Sequence, residues 1–272
     1  MNRNSIVEAL VLSIKPAGEH NRLATVLSRE RGVFSATVYG GRKGKLRSSV
    51  SPYHSGTMWI YANELKQSIK VSDFDPIKYR SEIRDNLYKT YAAAFCAELI
   101  MQTYGIAANI VQKEHHSEEH GELWILANGF LDGLAVADEN NSRIGTLRFL
   151  WRYIGLMGLQ SDCSQCMHCE SNMVSCYSVA DNAFLCADCS HMHHQDDFSG
   201  TKFAVAGMPS FFYLSEESIE YLRAINTLQP KYVRTRSLTA KSVQELHDLL
   251  YFLIQHATQI KFRALDTGKG IL

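Results

Sequence analysis

Residues 33–40 read VFSATVYG, with Phe34, Ala36 and Val38 alternating against Ser35 and Thr37. Residues 68–74, SIKVSDF, repeat the pattern, Ile69 and Val71 alternating with Ser68, Lys70 and Ser72. A period of two belongs to a strand with one face in a core and the other in water. Three further apolar runs have strand character: IVEALVLSI (6–14), RLATVLS (22–28) and TMWIYA (57–62). Breaks fall at Pro16 to Gly18, Arg31-Gly32, Gly40 to Ser51 and Ala62-Asn63. Five strands in so short a span predict a small closed barrel, because an open sheet of that size would leave costly edges.

After Pro76 the period changes. Ile83, Leu87, Tyr91, Ala94, Phe95 and Leu99 recur at helical spacing, and further helices are predicted at Glu119 to Asp132 and Ser142 to Met157. Ser215, followed by Glu216 and Glu217, marks a helix start, and Ser242-Val-Gln-Glu reads as a capping box opening another. That last helix carries Val243, Leu246, Leu250, Leu253, Ala257 and Ile260 on one stripe. The fold class expected is therefore α+β and multidomain: an N-terminal barrel of the OB type (residues 1–79), with an SH3-like barrel as the alternative, then a helical domain (80–272).

The chain of 272 residues carries 28 basic and 28 acidic side chains, so no field of the whole molecule draws it to a polyanion. Any such binding must come from a patch. No run approaches the roughly 20 apolar residues of a membrane span, and no leader is evident, so the expectation is a cytoplasmic protein with no membrane partner.

Six of the seven cysteines crowd into residues 163–189, CSQCMHCESNMVSCYSVADNAFLCADC. Paired CxxC spacing without export signals reads as metal binding, each knuckle presenting two thiolates to a tetrahedral Zn2+. Cys186 and Cys189 form the second knuckle. Cys163, Cys166 and Cys169 make two overlapping pairs for the first, with Cys166 and Cys169 preferred. The HxE with PCxxC pattern of zinc deaminases is incomplete, since no proline precedes a CxxC, so the metal is expected to be structural, holding together an insertion at about 160–195 that is loop-like and poor in apolar residues. No nucleophile elbow or paired acids point to an enzyme.

The patch that the neutral total requires is YGGRKGKLRSS (39–49), where Arg42, Lys43, Lys45 and Arg47 sit among glycines and serines. It is not a Walker loop: the first glycine position is Tyr39 and the Ser/Thr position is Leu46. Following the third strand of an OB barrel, it borders the face that tracks nucleic acid, where Tyr39 or Tyr53 would stack on bases; Trp59 and Tyr61 are as plausible in the core. Lys231, Arg234 and Arg236 form a second basic group, and Arg148 and Arg152 lie one helical turn apart beside Phe149 and Trp151.

The chain resembles the RecO family of bacterial recombination mediators over nearly its whole length. The resemblance rests on ALVLSIKPAGEHNRLATVLSRERGVFSATVYGGRKGKLRSSVSPYH (9–54), LMGLQSDCSQCMHCE (156–170), AFLCADC (183–189), LSEESIEYLR (214–223) and KYVRTRSL (231–238). It implies an OB fold, a helical domain and a zinc site with Cys166 and Cys169 in the first knuckle, Glu170 standing where the family has glycine. It also implies a non-enzymatic protein that binds single- and double-stranded DNA, anneals complementary strands, contacts the C-terminal tail of single-stranded DNA-binding protein (SSB), and with RecR loads RecA at gaps. RecF participation stays open. On this reading Tyr39, Arg42, Lys43, Lys45, Arg47, Arg234 and Arg236 contact DNA, Arg148 and Arg152 receive the partner's tail, and the protein works at the nucleoid. The alternative is a zinc-stabilised RNA-binding OB protein.

Overall fold

The computed structural model describes residues 4–40, 44–63, 65, 67–110, 117–197 and 209–272; of Lys45 and of residues 106–110, 117–119 and 193–197 it describes the backbone alone. In chain order the elements are β1 (Asn4–Ala17), β2 (Asn21–Ser28), β3 (Gly32–Val38), α1 (Lys45–Ser49), β4 (Ser55–Asn63), β5 (Ser68–Lys78), a 3-10 turn (Ser81–Asp85), α2 (Leu87–Ile110), α3 (Ser117–Val136) and α4 (Glu139–Leu156). Then follow β6 (Val174–Ser178), β7 (Ala183–Cys186), α5 (Ala187–Asp197), β8 (Phe211–Tyr213), α6 (Glu216–Thr227), α7 (Pro230–Val233), α8 (Ala240–Thr258) and α9 (Arg263–Thr267). They form two compact units, Met1–Arg143 with Ile260–Leu272, and Ile144–Gln259.

In the first unit the five predicted strands close in the order β1-β2-β3-β5-β4, with β3 and β5 parallel and every other pair antiparallel. This is the Greek-key barrel of the OB type. Val7, Ala9, Val11, Ala24, Val26, Ala36, Val38, Met58, Ile60, Val71 and Phe74 fill its interior. The alternation that identified β3 and β5 holds from Phe34 to Val38 and at Ile69 and Val71, yet β1, β2 and the start of β3 depart from it. Leu10, Leu27 and Val33 point away from that core and are buried as well. The cause is tertiary: α2 lies against β1 and β3, and α3 against β2, so this part of the barrel wall is covered on both sides.

Gly56 marks the closest approach of β4 to β5. A Cβ there would stand 2.1 Å from the Asp75 carbonyl oxygen, which closes the position to any side chain beside the register shift at Ser55/Gly56.

Arg80 follows β5 with φ +48 and its side chain buried at 3% exposure. It donates from Nε to Asp132 Oδ1 (2.7 Å), from Nη1 to the Tyr53 carbonyl (2.7 Å) and from Nη2 to Asn128 Oδ1 (2.8 Å), fastening α3 to the β4 approach. Burial pushes the Asp132 carboxyl up, but the Arg80 hydrogen bond and charge outweigh it and hold the group below the usual range.

In the second unit the cysteine-rich stretch is more ordered than expected. β6 and β7 form a hairpin extended by β8, and Val174, Cys176, Tyr177, Ala183, Phe184 and Leu185 are buried in it. The stretch is poor in apolar residues, but those it has are concentrated in this hairpin.

The last long helix starts three residues earlier than its capping box predicted. Thr239 is the N-cap of α8, its Oγ1 accepting from Ser242 N. Glu245 is free of the box because it serves the neighbouring helix: its Oε2 accepts from the N–H and hydroxyl of Ser215, the N-cap of α6, and from the Ser218 hydroxyl. Glu217 of α6 returns the service, accepting from the N–H and hydroxyl of Thr239 and from Ser242. The α8 stripe is rotated accordingly: Leu246, Leu249, Leu250 and Ile254 are buried, whereas Ala257 is exposed. Burial pushes the Glu245 carboxyl up, and the hydrogen bonds from Ser215 and Ser218 more than reverse that; Ser242 and Thr239 lower Glu217. A carboxyl whose folded pKa is depressed gives its full stabilisation above the unfolded value of about 4.3 and loses it as pH falls toward the folded value. Melting temperature measured from pH 6 to pH 3 should therefore fall less steeply in Glu217→Gln/Glu245→Gln than in the parent; parallel curves would refute the coupling.

Candidate nucleic-acid interface and metal centre

The basic loop is partly helical. Leu46 and Val50, four apart, both pack on the barrel core, and this anchoring winds Lys45–Ser49 into α1 although glycines and serines surround it. Arg47 is left exposed in the last turn, and Tyr39 is 56% exposed at the end of β3. Arg42 and Lys43 lie outside the described residues, as does the Lys45 side chain. A cation missed in the sequence joins them: Arg22 on β2 donates from Nη2 to the Leu46 carbonyl (3.1 Å). Burial lowers its pKa, as does the nearby charge of Arg47. The signal was the hairpin register, since Arg22 pairs with Val38, immediately before Tyr39.

The other aromatic candidates separate. Tyr53 is half-buried with φ +72, and burial pushes its hydroxyl up to about 12, followed by the influence of Cys96. It is part of the Arg80 fastening. Trp59 and Tyr61 point outward from β4, the latter beneath Lys70 Nζ at 4.7 Å from the ring centre.

In the second unit the two basic groups, read separately in the sequence, come together. Arg148 Nη1 donates to Tyr221 Oη (2.8 Å). Burial lowers the Arg152 pKa, and Arg148 and Arg234 lower it further. Tyr221 is raised by burial while Arg148, Arg152 and Arg236 act against that rise, so three guanidinium groups influence one phenol. Beside them lies an open cavity of about 310 Å3, lined by Glu220, Tyr221, Thr235, Arg236 and Leu238 among others. Arg234 and Arg236 are exposed, Arg148 and Arg152 half-buried. Phe149 and Trp151, the neighbours expected at this surface, are buried in the core instead.

The Sγ atoms of Cys166, Cys169, Cys186 and Cys189 all lie within 4.8 Å of one another, Cys169 and Cys186 at 3.6 Å. Four thiolates at about 2.3 Å from a tetrahedral Zn2+ would stand about 3.8 Å apart, so the spacing fits. The first knuckle is closed by Cys166 N–H donating to the Ser171 carbonyl (2.8 Å) and Glu170 N–H to the Cys166 carbonyl (2.9 Å). Glu170 takes φ +59 here, the left-handed conformation that explains a glycine at this place in related motifs. Met167 N–H donates to the Phe184 carbonyl (3.1 Å), docking the knuckle on the hairpin; the second knuckle spans the end of β7 and the first turn of α5.

Burial pushes the Cys166 thiol up, but backbone hydrogen bonds at Cys186, Cys169 and His168 bring it down to about 6. Burial, then the hydrogen bonds with Cys186, Cys169 and Cys166, push Cys189 strongly up. Four thiolates so close would repel one another unless a cation stood among them, and the four sulfurs are spaced so that they could hold a divalent metal. Cys163 is outside the cluster: Asn226 Nδ2 approaches its sulfur at 3.8 Å, and burial pushes the thiol up to about 11. Cys176, the other spare thiol, is buried on β6 with its sulfur 3.8 Å from the Leu185 carbonyl. His168 lies 3.9 Å from Asp181, and His191 is exposed; the side chains of His193 and His194 lie outside the described residues.

One positioning residue was invisible in the sequence. Arg223 of α6 donates to the carbonyls of Cys163 (3.0 Å), Ser164 (2.9 Å) and Asn172 (2.8 Å), bracketing the first knuckle on both sides.

Among the described residues no helix is long and apolar enough to cross a membrane. The family described as Recombination protein O N terminal matches residues 1–79. The chain is 27% identical over 186 residues to "DNA repair protein RecO" of Bacillus subtilis, covering 67% of each chain. It is 20% identical over 250 residues to the protein of that name from Oceanobacillus iheyensis, covering 90% of this chain and 85% of the relative. Over 95 residues it is 32% identical to the protein of that name from Heliobacterium modesticaldum, covering 34% of each.

Proposed function

We propose that this chain, a relative of the RecO family of DNA repair proteins, binds single- and double-stranded DNA without chemistry of its own, anneals complementary strands, and with RecR helps to load RecA onto SSB-coated single strands at gaps. The observation that carries the reading is the exposed edge of a closed OB-type barrel where Arg22, Arg47 and Tyr39 meet. Guanidinium groups neutralise phosphates whatever the sequence, and an exposed tyrosine offers a stacking surface to any base. Two phosphate backbones brought to such an edge lose part of their repulsion, which is what annealing requires. Arg42, Lys43 and Lys45 extend the edge on this reading.

Residues 1–79 would then form the DNA-binding domain, and 80–272 the helical domain with its metal-bound insertion at about 160–195. Cys166, Cys169, Cys186 and Cys189 hold a structural Zn2+, which supplies cross-linking of the two knuckles. The cluster of Arg148, Arg152, Arg234 and Arg236 suits an acidic segment, so Arg148 and Arg152 are assigned to the C-terminal tail of SSB, and Arg234 and Arg236 to the adjoining DNA path. RecF is a further partner to test. The work is done on the chromosome, in the cytoplasm.

Binding of a labelled oligonucleotide across a salt series tests the edge. Arg22→Ala/Arg47→Ala should weaken binding and lower the slope of log K against log[salt] by about one for each phosphate no longer neutralised. An unchanged slope would move the site elsewhere. Failure to anneal complementary strands, together with equal or tighter binding of RNA, would replace the mediator reading by an RNA-binding one.

A further inference from the structure

We propose that the outward face of β4, with the strands beside it, is a docking surface for a protein segment in which apolar side chains alternate with lysine or arginine. Met58 and Ile60 of β4 point into the barrel, so Thr57, Trp59 and Tyr61 point out. In the β1–β4 ladder Trp59 pairs with Ile6, and the two are 36% and 61% exposed. Single exposed apolar residues are ordinary, but an adjacent tryptophan and isoleucine, both left exposed among the described residues, form the centre of a contact surface. β4 is paired on both sides within a closed barrel, so no strand can be added to it. Recognition must come from side chains.

The charges around this centre select the occupant. Trp59 pairs with Asp73 on β5, and Thr57 pairs with Glu8 on one side and Asp75 on the other. All three carboxylates are exposed. Glu8 has Arg29 at 3.5 Å, whereas among the described residues neither Asp73 nor Asp75 has a cation within ion-pairing distance. Among the described residues the Asp73 carboxylate accepts only from the Phe74 N–H (2.9 Å). Three carboxylates against Arg29 and Lys70 leave the rim acidic on balance, which disfavours a phosphate backbone and distinguishes the surface from the Arg22–Arg47 edge. An apolar side chain seated on Ile6 and Trp59 would place a neighbouring cation within reach of Asp73 and Asp75, and a cation over the indole gains further attraction.

The probe is a synthetic ten-residue peptide alternating leucine and lysine, compared with its leucine–glutamate counterpart. Binding is read as the change in tryptophan emission in the full chain that is lost in Trp59→Phe. The lysine peptide should bind saturably, with affinity at least about tenfold higher than the glutamate peptide and reduced about tenfold in Asp73→Lys/Asp75→Lys. If that variant fails to fold, Asp73→Asn/Asp75→Asn retains the acceptor for Phe74 and should weaken binding in the same direction. Oligonucleotide affinity should not fall in either, which separates this proposal from the DNA reading. Equal binding of both peptides, binding indifferent to the aspartate substitutions, or a concentration-dependent dimer that hides Trp59 would overturn it.

Discussion

The protein as purified should hold about one equivalent of zinc, and stripping it should abolish the cooperative melting of the cysteine lobe while leaving the far-ultraviolet signature of the barrel. The expected effect is the largest in the molecule, since structural zinc sites bind with an apparent free energy of about 10–16 kcal/mol in small domains. The lobe has a buried hairpin of its own, so metal loss should loosen it to a fluctuating compact form rather than to an extended chain. Metal content and melting separate the ligands: Cys166→Ser, Cys169→Ser, Cys186→Ser and Cys189→Ser should each lose the ion, whereas Cys163→Ser and Cys176→Ser should retain it. A stoichiometry near zero with an undiminished melting temperature would refute a metal role for the four sulfurs. Retention of zinc in Cys169→Ser with loss in Cys163→Ser would move the first knuckle one pair upstream.

The second large effect lies at Arg80. Replacing it by methionine removes three hydrogen bonds and leaves the Tyr53 carbonyl, Asn128 and Asp132 to find other partners. Breaking a buried ion pair from one side costs about 3–5 kcal/mol; the Asp132 carboxylate is 39% exposed and can rehydrate, which brings the expected loss to about 2–4 kcal/mol. For a unit of this size that is a fall in melting temperature of about 5–12 °C. Asp132→Asn should cost less, because the amide oxygen still accepts from Arg80 and only the charge is lost. A fall under about 2 °C in Arg80→Met would show that the network is replaced by water at little cost.

The barrel was readable because its interior obeys a local rule. Each strand carries its alternation within a few residues, and the turn residues between strands are explicit. What escaped was everything fixed by a neighbour remote in sequence. Leu10, Leu27 and Val33 are buried by helices that follow the barrel. Leu46 and Val50 turn a glycine- and serine-flanked basic loop into a helix only because a core lies beneath them. The same division runs through the sites. The four clustered cysteines were preferred from spacing, and Tyr39 and Arg47 from composition, whereas Arg22 and Arg223 act through backbone carbonyls that no side-chain pattern announces. Ser215 was readable as a cap because its partners are its own first turn. Glu245 was assigned to the wrong helix start because its true partner is thirty residues away.

The exchanged carboxylates of α6 and α8 have a dynamic consequence. Each helix ordinarily frays from its first turn at little cost, because one cap is lost at a time. Here the opening of the first turn of α6 withdraws Glu217 from the start of α8, and an opening of α8 that reaches its second turn withdraws Glu245 from the start of α6, so the two ends behave as a single latch. Slow amides near residues 216–219 and 240–243 would open in one concerted event, and whatever loosens one helix is felt at the start of the other without a rigid rod between them.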